Sequence, residues 1–204
     1  MTTAPLASGR VTDGRSARSQ RTRLAVVDAL LDLLRAGNPR PTAKEIAERA
    51  GVSLRSVYVH FDDLDDLFGA ATRRQIELVA PLLVVVPATG TIAERAETMM
   101  RARAEIFEEL GPIRRAAELQ EPFSPALARN LQDIRAAGRA DLERVFANEL
   151  ERLPEDDRRR RTGVLDVLCG SATWDQLRHN QGLDKAAARA AVVEATISLL
   201  ETNR

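Results

Sequence analysis

The sequence predicts an all-α protein made of a small helical unit and a larger helical body. Alanine, leucine and arginine are abundant, while aromatic residues make up only 3% of the 204 residues, and this composition favours helices over sheets. Apolar residues recur at spacings of three and four, the period of an amphipathic helix. Capping residues begin these stretches, and glycine or proline ends them.

The N-terminal stretch predicts an arm followed by a helix. Residues 1–14 are polar, contain glycine and proline and show no period, so we expect a disordered basic arm. Residues 16–36 predict a first helix that ends at Gly37-Asn38-Pro39. Its expected buried stripe consists of Leu24, Val27, Leu30, Leu31, Leu33 and Leu34.

Residues 42–61 predict two short helices joined by a tight turn. Thr42 and Glu45 have the spacing of a capping box, which begins the first helix. Gly51 ends it, because glycine adopts the left-handed cap conformation without steric cost. Ser53 can cap a second helix that runs to about Phe61. This is the helix-turn-helix pattern, whose second helix enters the major groove of DNA.

The second helix of this pattern has two different faces. At 100° per residue, Leu54, Val57 and Phe61 share the face that should point inward. Arg55 lies on the outward face and is the best candidate for reading a base, since arginine is the commonest partner of guanine. Lys44 and the helix start at Thr42 are placed to hold the DNA backbone. The predicted DNA-binding residues are Thr42, Lys44, Ser53, Leu54, Arg55, Ser56, Tyr58, Val59 and His60.

This stretch resembles the TetR family of bacterial transcriptional regulators. The shared pattern comprises Thr42, Ile46, Ala47, Ala50, Gly51, Val52, Ser53, Tyr58, His60, Phe61 and Leu67. The resemblance covers roughly residues 18–72; it implies a DNA-binding domain at 15–68 and a ligand-sensing, dimerising domain at 69–204. Family members usually carry a phosphate-contacting lysine where Leu64 stands. Leu64 among four aspartates therefore predicts weaker or more salt-sensitive DNA binding, or compensation by the arginine arm.

The body predicts a series of helices with defined breaks. Asp62 and Asp63 begin a helix with the buried stripe Leu64, Leu67, Phe68 and Ala71. We read the apolar run 81–87 as a helix end and a packed connector rather than a strand, since no partner strand is near. Gly111-Pro112 should end the next helix. The expected helices are 91–110, 113–121, 125–152, 154–179 and 185–201.

Dimerisation and ligand binding follow from the family resemblance. Ala188, Val192, Ala195 and Leu199 have the spacing of a helix-bundle seam, which packs either against a partner chain or inside one chain. The resemblance implies the first, a homodimer through the last two helices. The resemblance also implies a pocket for a small-molecule effector that the sequence does not identify, although each candidate could equally be core. The candidates are Met99, Met100, Arg103, Phe107, Phe123, Leu127, Leu131 and Trp174.

Charge and composition limit the other possibilities. The net charge is zero, but residues 1–61 hold ten basic and five acidic side chains, so this end carries +5 and the rest −5. No apolar run approaches the ~18 residues of a membrane span. The lone Cys169 and the absence of a signal peptide predict a cytoplasmic protein. We find no pattern for a catalytic, metal or cofactor site, with only His60 and His179 as histidines.

The sequence therefore predicts a ligand-responsive transcriptional regulator, a repressor that binds a palindromic operator as a homodimer. Its two recognition helices would enter successive major grooves ~34 Å apart. Two alternatives remain: an architectural DNA-binding protein without a ligand, and a helical enzyme or carrier with an incidental helix-turn-helix.

Overall fold

A computed structural model describes residues 10–201, which are all-α as predicted and contain no β-strand. Short 3-10 turns lie at Ala80–Leu82 and Glu121–Phe123, and a π-helical turn lies at Gln176–Asn180. Within this range no helix is long and apolar enough to cross a membrane. The helices are α1 (Arg10–Arg35), α2 (Ala43–Ala50), α3 (Leu54–His60), α4 (Leu64–Val79), α5 (Ile92–Gln120), α6 (Pro125–Val145), α7 (Ala147–Leu150), α8 (Glu155–Leu168), α9 (Ser171–Asp175) and α10 (Lys185–Glu201).

Two hydrophobic cores hold these helices together. The first lies among α1 to α4, and the second lies among α5 to α10 with Val86 of the connector. Helix α5 belongs to both, because Met99 and Met100 lie in the second core while Ala116 lies in the first, with Ile113 packed against it. At 1.5 Å per residue, this helix of 29 residues is roughly 43 Å long. It therefore joins the DNA-binding unit to the body directly.

Helix α1 differs from the prediction at its N-terminal end. It begins at Arg10, so residues 10–14 are helical rather than part of a disordered arm; residues 1–9 lie outside the described range. Gly14 lies inside the helix and is tolerated there, since a single glycine costs only about 1 kcal/mol relative to alanine. Leu24 was expected in the core but is 47% exposed, whereas Val26 is fully buried. The true stripe therefore runs through Val26, Val27, Leu30, Leu31 and Leu34.

The connector and helix α5 also correct the prediction. The run before Pro87 contains no strand, but its expected packing is wrong for Leu83, Val84 and Val85, which are exposed, whereas Val86 is buried. Helix α5 continues through Gly111-Pro112 to Gln120, so the predicted break and the separate helix 113–121 are wrong. An internal proline costs about 3 kcal/mol. This cost is offset because tertiary contacts hold the helix on both sides of the proline.

The later helices are shorter than expected, because side chains from α5 satisfy carbonyl groups where they break. The predicted helix 125–152 is interrupted at Phe146, where Arg95 Nη1 donates to the carbonyl of Val145 at 2.6 Å. The predicted helix 154–179 stops at Leu168. A Cβ on Gly170 would lie 2.9 Å from a main-chain oxygen, so the chain can turn this closely only with glycine there.

Helix α10 packs mainly inside its own chain on the predicted seam. Asp184 caps it as expected, with its Oδ1 accepting from the N–H of Ala187 at 2.8 Å. Ala188 and Val192 are buried in the second core of the same chain. Half of the proposed seam is therefore intramolecular, because the face that carries these residues is turned towards α5.

Candidate nucleic-acid interface

The start of α2 is fixed by local hydrogen bonds, and the predicted capping box is present. The N–H and the hydroxyl of Thr42 both donate to Glu45 Oε2 at 2.7 Å, and the N–H of Glu45 donates back to Thr42 Oγ1 at 3.3 Å. The N–H of Thr42, followed by its hydroxyl, holds the pKa of Glu45 below its ordinary value. Gly51 ends the helix with φ 66°, the left-handed conformation expected.

Helix α3 is anchored by two side chains and capped by one. Ser53 caps it as predicted, since its Oγ accepts from the N–H of Ser56 at 3.1 Å. Val57 and Phe61 are each 2% exposed and attach the helix to the first core. Leu54 was expected to share this buried face but is 43% exposed. Leu54 is the first residue of the helix and lies at the edge of its buried face.

The outward face of α3 is left open to solvent. Tyr58 is 55% exposed and Val59 is 70% exposed, while Ser56 and His60 are half-buried. Arg55 is exposed, and its guanidinium makes no ion pair or hydrogen bond with any residue between 10 and 201. A row of polar and apolar side chains on a capped helix, among them the unpaired Arg55, is suited to contacts with base edges.

Arg23 of α1 is a positioning residue that the sequence reasoning missed. Its Nη1 donates to the carbonyl of His60 at 3.0 Å, and its guanidinium carbon lies 4.5 Å from the centre of the Phe61 ring. A cation at the C-terminal end of α3 interacts favourably with the helix dipole and caps a free carbonyl. The only signal in the sequence was a basic residue beside the apolar stripe of α1, which does not identify a partner 37 positions away.

The predicted backbone contacts are partly engaged within the protein. Lys44 lies 3.9 Å from Glu48, and the hydroxyl of Thr42 is used in the capping box. At the start of α4, Asp63 caps the helix through its Oδ1, which accepts from the N–H of Asp66 at 2.8 Å. Leu64 is 38% exposed rather than buried, because it occupies the first turn beyond the core. The acidic first turn of α4 therefore faces solvent beside the recognition helix.

Several predicted ligand-binding residues lie in the second core. Met99, Met100 and Trp174 are at most 1% exposed. The Trp174 indole N–H donates to Glu108 Oε1 at 3.0 Å, so it has a protein partner, and Phe107 packs against the ring at a centroid distance of 6.2 Å. Arg178 also donates to Glu108, and chiefly for this reason the pKa of that carboxyl is lowered.

The remaining predicted ligand residues are dispersed. Arg103 donates to the carbonyls of Cys169 at 3.0 Å and Gly138 at 2.8 Å, so it joins three helices. Leu127 and Leu131 are buried, whereas Phe123, expected on an inner surface, is 72% exposed because it sits on the turn between α5 and α6.

Two cavities lie on the surface of the described chain. A cavity of about 350 Å³ lies where the DNA-binding unit meets the body; it is lined by Arg40, Pro41, Thr42, Leu64, Asp65, Phe68, Gln120 and Phe123. A cleft of about 590 Å³ lies between α6, α7 and α8, and none of the predicted ligand residues lines it. Of the eight candidates, only Phe123 lines either of these two cavities.

The surroundings of Cys169 and the placement of the possible metal ligands do not suggest catalysis or metal binding. Cys169 is fully buried, burial raises the pKa of its thiol, and its Sγ lies 3.5 Å from Thr196 Oγ1. Such a thiol stays protonated and is a poor nucleophile. In the range that the structure describes, no three histidine, cysteine, aspartate or glutamate side chains are arranged to hold a metal ion.

The fold and the open face of α3 define the class of protein: an all-helical DNA-binding protein with an N-terminal helix-turn-helix. Residues 26–71 match the model of the bacterial regulatory proteins of the tetR family. An uncharacterized HTH-type transcriptional regulator of Mycobacterium tuberculosis is 27% identical over 134 residues, which cover 60% of this chain and 69% of that protein. Residues 26–71 therefore carry the DNA-binding domain of the TetR family, and the chain as a whole is similar to transcriptional regulators of that family.

Solved structures show the same fold. A tetR-family transcriptional regulator from Streptomyces coelicolor matches with a TM-score of 0.70 at 21% identity, over 88% of this chain and 80% of that chain. NalD, the secondary repressor of the MexAB-OprM multidrug efflux pump in Pseudomonas aeruginosa, matches with a TM-score of 0.62 at 19% identity, over 91% of this chain and 100% of that chain. Identities this low establish the shared architecture alone.

Proposed function

We propose that the protein is a ligand-responsive repressor that binds a palindromic operator as a homodimer. In this proposal residues 15–68 contact DNA, and residues 69–204 dimerise and sense a small molecule. The single observation that carries it is the open face of α3. Arg55, Tyr58 and Val59 are exposed on a helix whose opposite side is fixed by Val57 and Phe61.

Arg55 is assigned the role of reading a base, because its guanidinium is free and lies on the outward face. Bidentate contacts from arginine to guanine are the commonest specific contacts in the major groove. Ser56, Tyr58, His60, Thr42 and Lys44 set the register of the helix on phosphates. The half-buried position of Ser56 and His60 suits short contacts at the edge of the groove rather than deep insertion.

Dimerisation is assigned to the outward faces of α8 and α10. Val164 is 47% exposed and Val167 is 68% exposed on α8, three residues apart and therefore on one side of the helix. On α10, Ala187 and Ala190 are exposed small residues at the same spacing, which allow a second helix to approach closely. A Val167→Asp variant should sediment as a monomer. The matched Val85→Asp variant changes an exposed valine on the connector and should remain dimeric.

Ligand response requires that an effector bind the two conformations of the dimer with different affinity. Contacts between α1, α4 and α5 can transmit a conformational change in the body to the DNA-binding unit. Arg35 of α1 donates to Gln75 of α4 at 3.2 Å and lies 3.6 Å from Glu109 of α5. A movement of α4 or α5 within the body would therefore change the position of α1, and with it the spacing of the two recognition helices.

Selection from a random DNA pool with the purified protein tests the DNA-binding proposal. We expect enrichment of a palindrome whose half-sites are centred about one helical turn apart. Enrichment of an asymmetric site, or no enrichment at all, would contradict operator binding by a dimer. The enriched site then supplies the probe for a screen of small molecules that release the protein from DNA.

An architectural DNA-binding protein without a ligand is the second candidate, and one observation favours it. Met99, Met100 and Trp174 fill the interior of the body, and the indole N–H has a protein partner. The two candidates differ in a measurable way. A compound that lowers operator affinity and raises the melting temperature of the free protein supports the repressor. Uniform binding to any DNA, with no base preference, supports the architectural protein.

A further inference from the structure

We propose that Arg40 binds a phosphodiester of the DNA backbone at the mouth of the cavity between the DNA-binding unit and the body. The inference rests on the proposed DNA-binding mode, with α3 in the major groove, and adds a site to it. The residues assigned above leave the acidic first turn of α4 without a neighbouring free cation. Arg40 supplies that cation.

The position of Arg40 follows from the geometry of the motif. When the second helix of a helix-turn-helix lies in the major groove, the first helix crosses the backbone. Arg40 lies two residues before Thr42, the N-cap of α2, and so lies beside the strand that α2 crosses. The main chain is held there because the N–H of Arg40 donates to Asn38 Oδ1 at 3.2 Å. Pro41, which follows, is buried and restricts Arg40 to an extended backbone.

The neighbouring cations are already engaged, whereas the Arg40 guanidinium is free. Arg49 lies 3.1 Å from Asp32, and Lys44 lies 3.9 Å from Glu48. Among the lysine and arginine residues described between positions 30 and 61, only Arg40 and Arg55 make no ion pair or side-chain hydrogen bond. Arg55 faces the bases, so Arg40 remains for the backbone. An unpaired guanidinium binds phosphate without first breaking an internal contact, and its planar fork matches two phosphate oxygens.

The cavity beside Arg40 strengthens such a contact. Leu64 and Phe123 line it together with Arg40, so part of the surface around the guanidinium is apolar and lowers the local dielectric constant. An ion pair at a partly desolvated surface is stronger than one in bulk water. Asp65 lines the same cavity and forms no ion pair with Arg40 within 4.0 Å. Its charge opposes a phosphate, which makes the Arg40 cation more important for binding there.

The salt dependence of DNA binding tests the proposal. Dissociation constants of wild-type protein and the Arg40→Gln variant are measured on one duplex, the selected operator or, failing that, random-sequence DNA, over a salt series. Loss of one phosphate contact should reduce the slope of log K against log salt by about 0.9. The same relation gives an affinity loss of about fivefold at ~0.15 M salt. The ranking of operator sequences should not change, because a phosphate contact carries no base information.

Matched variants separate this contact from a general charge effect. Arg101 is exposed on α5 and makes no ion pair in the described chain, so Arg101→Gln changes the net charge equally and should keep the wild-type slope. Asp65→Asn should raise affinity. Leu64→Lys places a cation on the same cavity and should restore the slope in the Arg40→Gln background. Since Arg40 is exposed, the melting temperatures should agree, which shows that every variant is folded.

The outcomes are distinguishable from failure of the proposed function. If the wild-type protein binds no DNA, the proposed DNA-binding mode fails and this site fails with it. If the wild type binds DNA while Arg40→Gln keeps its slope and affinity, the phosphate site is overturned and the proposed function stands. Equal losses in Arg40→Gln and Arg101→Gln would also overturn it, because the effect would then belong to overall charge.

Discussion

The buried ion pair between Arg95 and Glu149 should contribute far more to stability than a surface pair of similar length. Arg95 Nη2 lies 2.6 Å from Glu149 Oε1, and the two side chains are 4% and 15% exposed. Glu149→Gln would leave the guanidinium buried without a counter-charge. Breaking a buried pair costs about 3–5 kcal/mol. In a chain of this size, each kcal/mol lowers the melting temperature by about 2–4 °C, so we expect a fall of about 6–20 °C.

A second ion pair provides the control for this variant. Arg144 lies 2.7 Å from Asp141, but these side chains are 44% and 38% exposed. Asp141→Asn should therefore cost at most about 1 kcal/mol. Thermal unfolding is followed by far-UV circular dichroism with both variants at the same protein concentration, because self-association would make the melting temperature depend on concentration. Similar small shifts in both variants would refute the argument that burial, rather than distance, sets the energy of the pair.

The same pair predicts a dependence of stability on pH. Burial raises the pKa of Glu149, but the hydrogen bonds and the charge of Arg95 together lower it by more. The pKa of Glu149 in the folded protein therefore lies below the ordinary value. A depressed carboxyl pKa stabilises the folded state above the ordinary value of ~4.3 and ceases to do so as the pH falls through the folded pKa. The melting temperature of the wild type should therefore fall over that acidic range more steeply than that of Glu149→Gln. If the melting temperatures of the two proteins fell in parallel with pH, protonation of Glu149 would not be the cause of the loss of stability.

Three further predictions concern the DNA interface and the buried thiol. Arg55→Ala should cost about 1–3 kcal/mol in operator binding and relax the preference at one base position, and a uniform loss across sequences would make it a phosphate contact instead. Arg23→Met should weaken operator binding by about tenfold to a hundredfold, because loss of its contacts costs about 1.5–3 kcal/mol at the end of α3, and quantitative gel-shift assays would measure this. Arg23→Lys keeps the charge but not the planar contact with the Phe61 ring, so its operator affinity should lie between those of the wild type and Arg23→Met. Cys169 should react with a thiol reagent only after denaturation, since it is fully buried with a raised pKa; rapid labelling of the folded protein would contradict its assigned environment.

The helix-turn-helix could be predicted closely from the sequence because its determinants are local. The capping box of Thr42 and Glu45, the Gly51 turn and the Ser53 cap each act over four residues or fewer, and all are present. The sequence could not predict which apolar residues at the end of a helix remain exposed to solvent. Periodicity gives the direction of a face, but not the point at which the neighbouring helix ends, and this explains the exposure of Leu54 and Leu64.

The boundaries in the body were harder to predict because distant residues determine them. The interruption after Val145 depends on Arg95, which is 50 positions away, and the end of α8 is held by Arg103, 66 positions from Cys169. Pro112 is tolerated because α5 is fixed on both sides, by the second core and by Ala116 in the first. A single sequence contains these partners but does not pair them, so no local rule identifies the breaks or the continuation.

Because Ala116 and Ile113 of α5 complete the core of α1 to α4, the DNA-binding unit is not a detachable module. A fragment that stops in the connector after Val79 would lack these α5 side chains, and the part of the core that they cover would be exposed to water. A chimera that joins the helix-turn-helix to a different helical body should therefore retain the last two turns of α5.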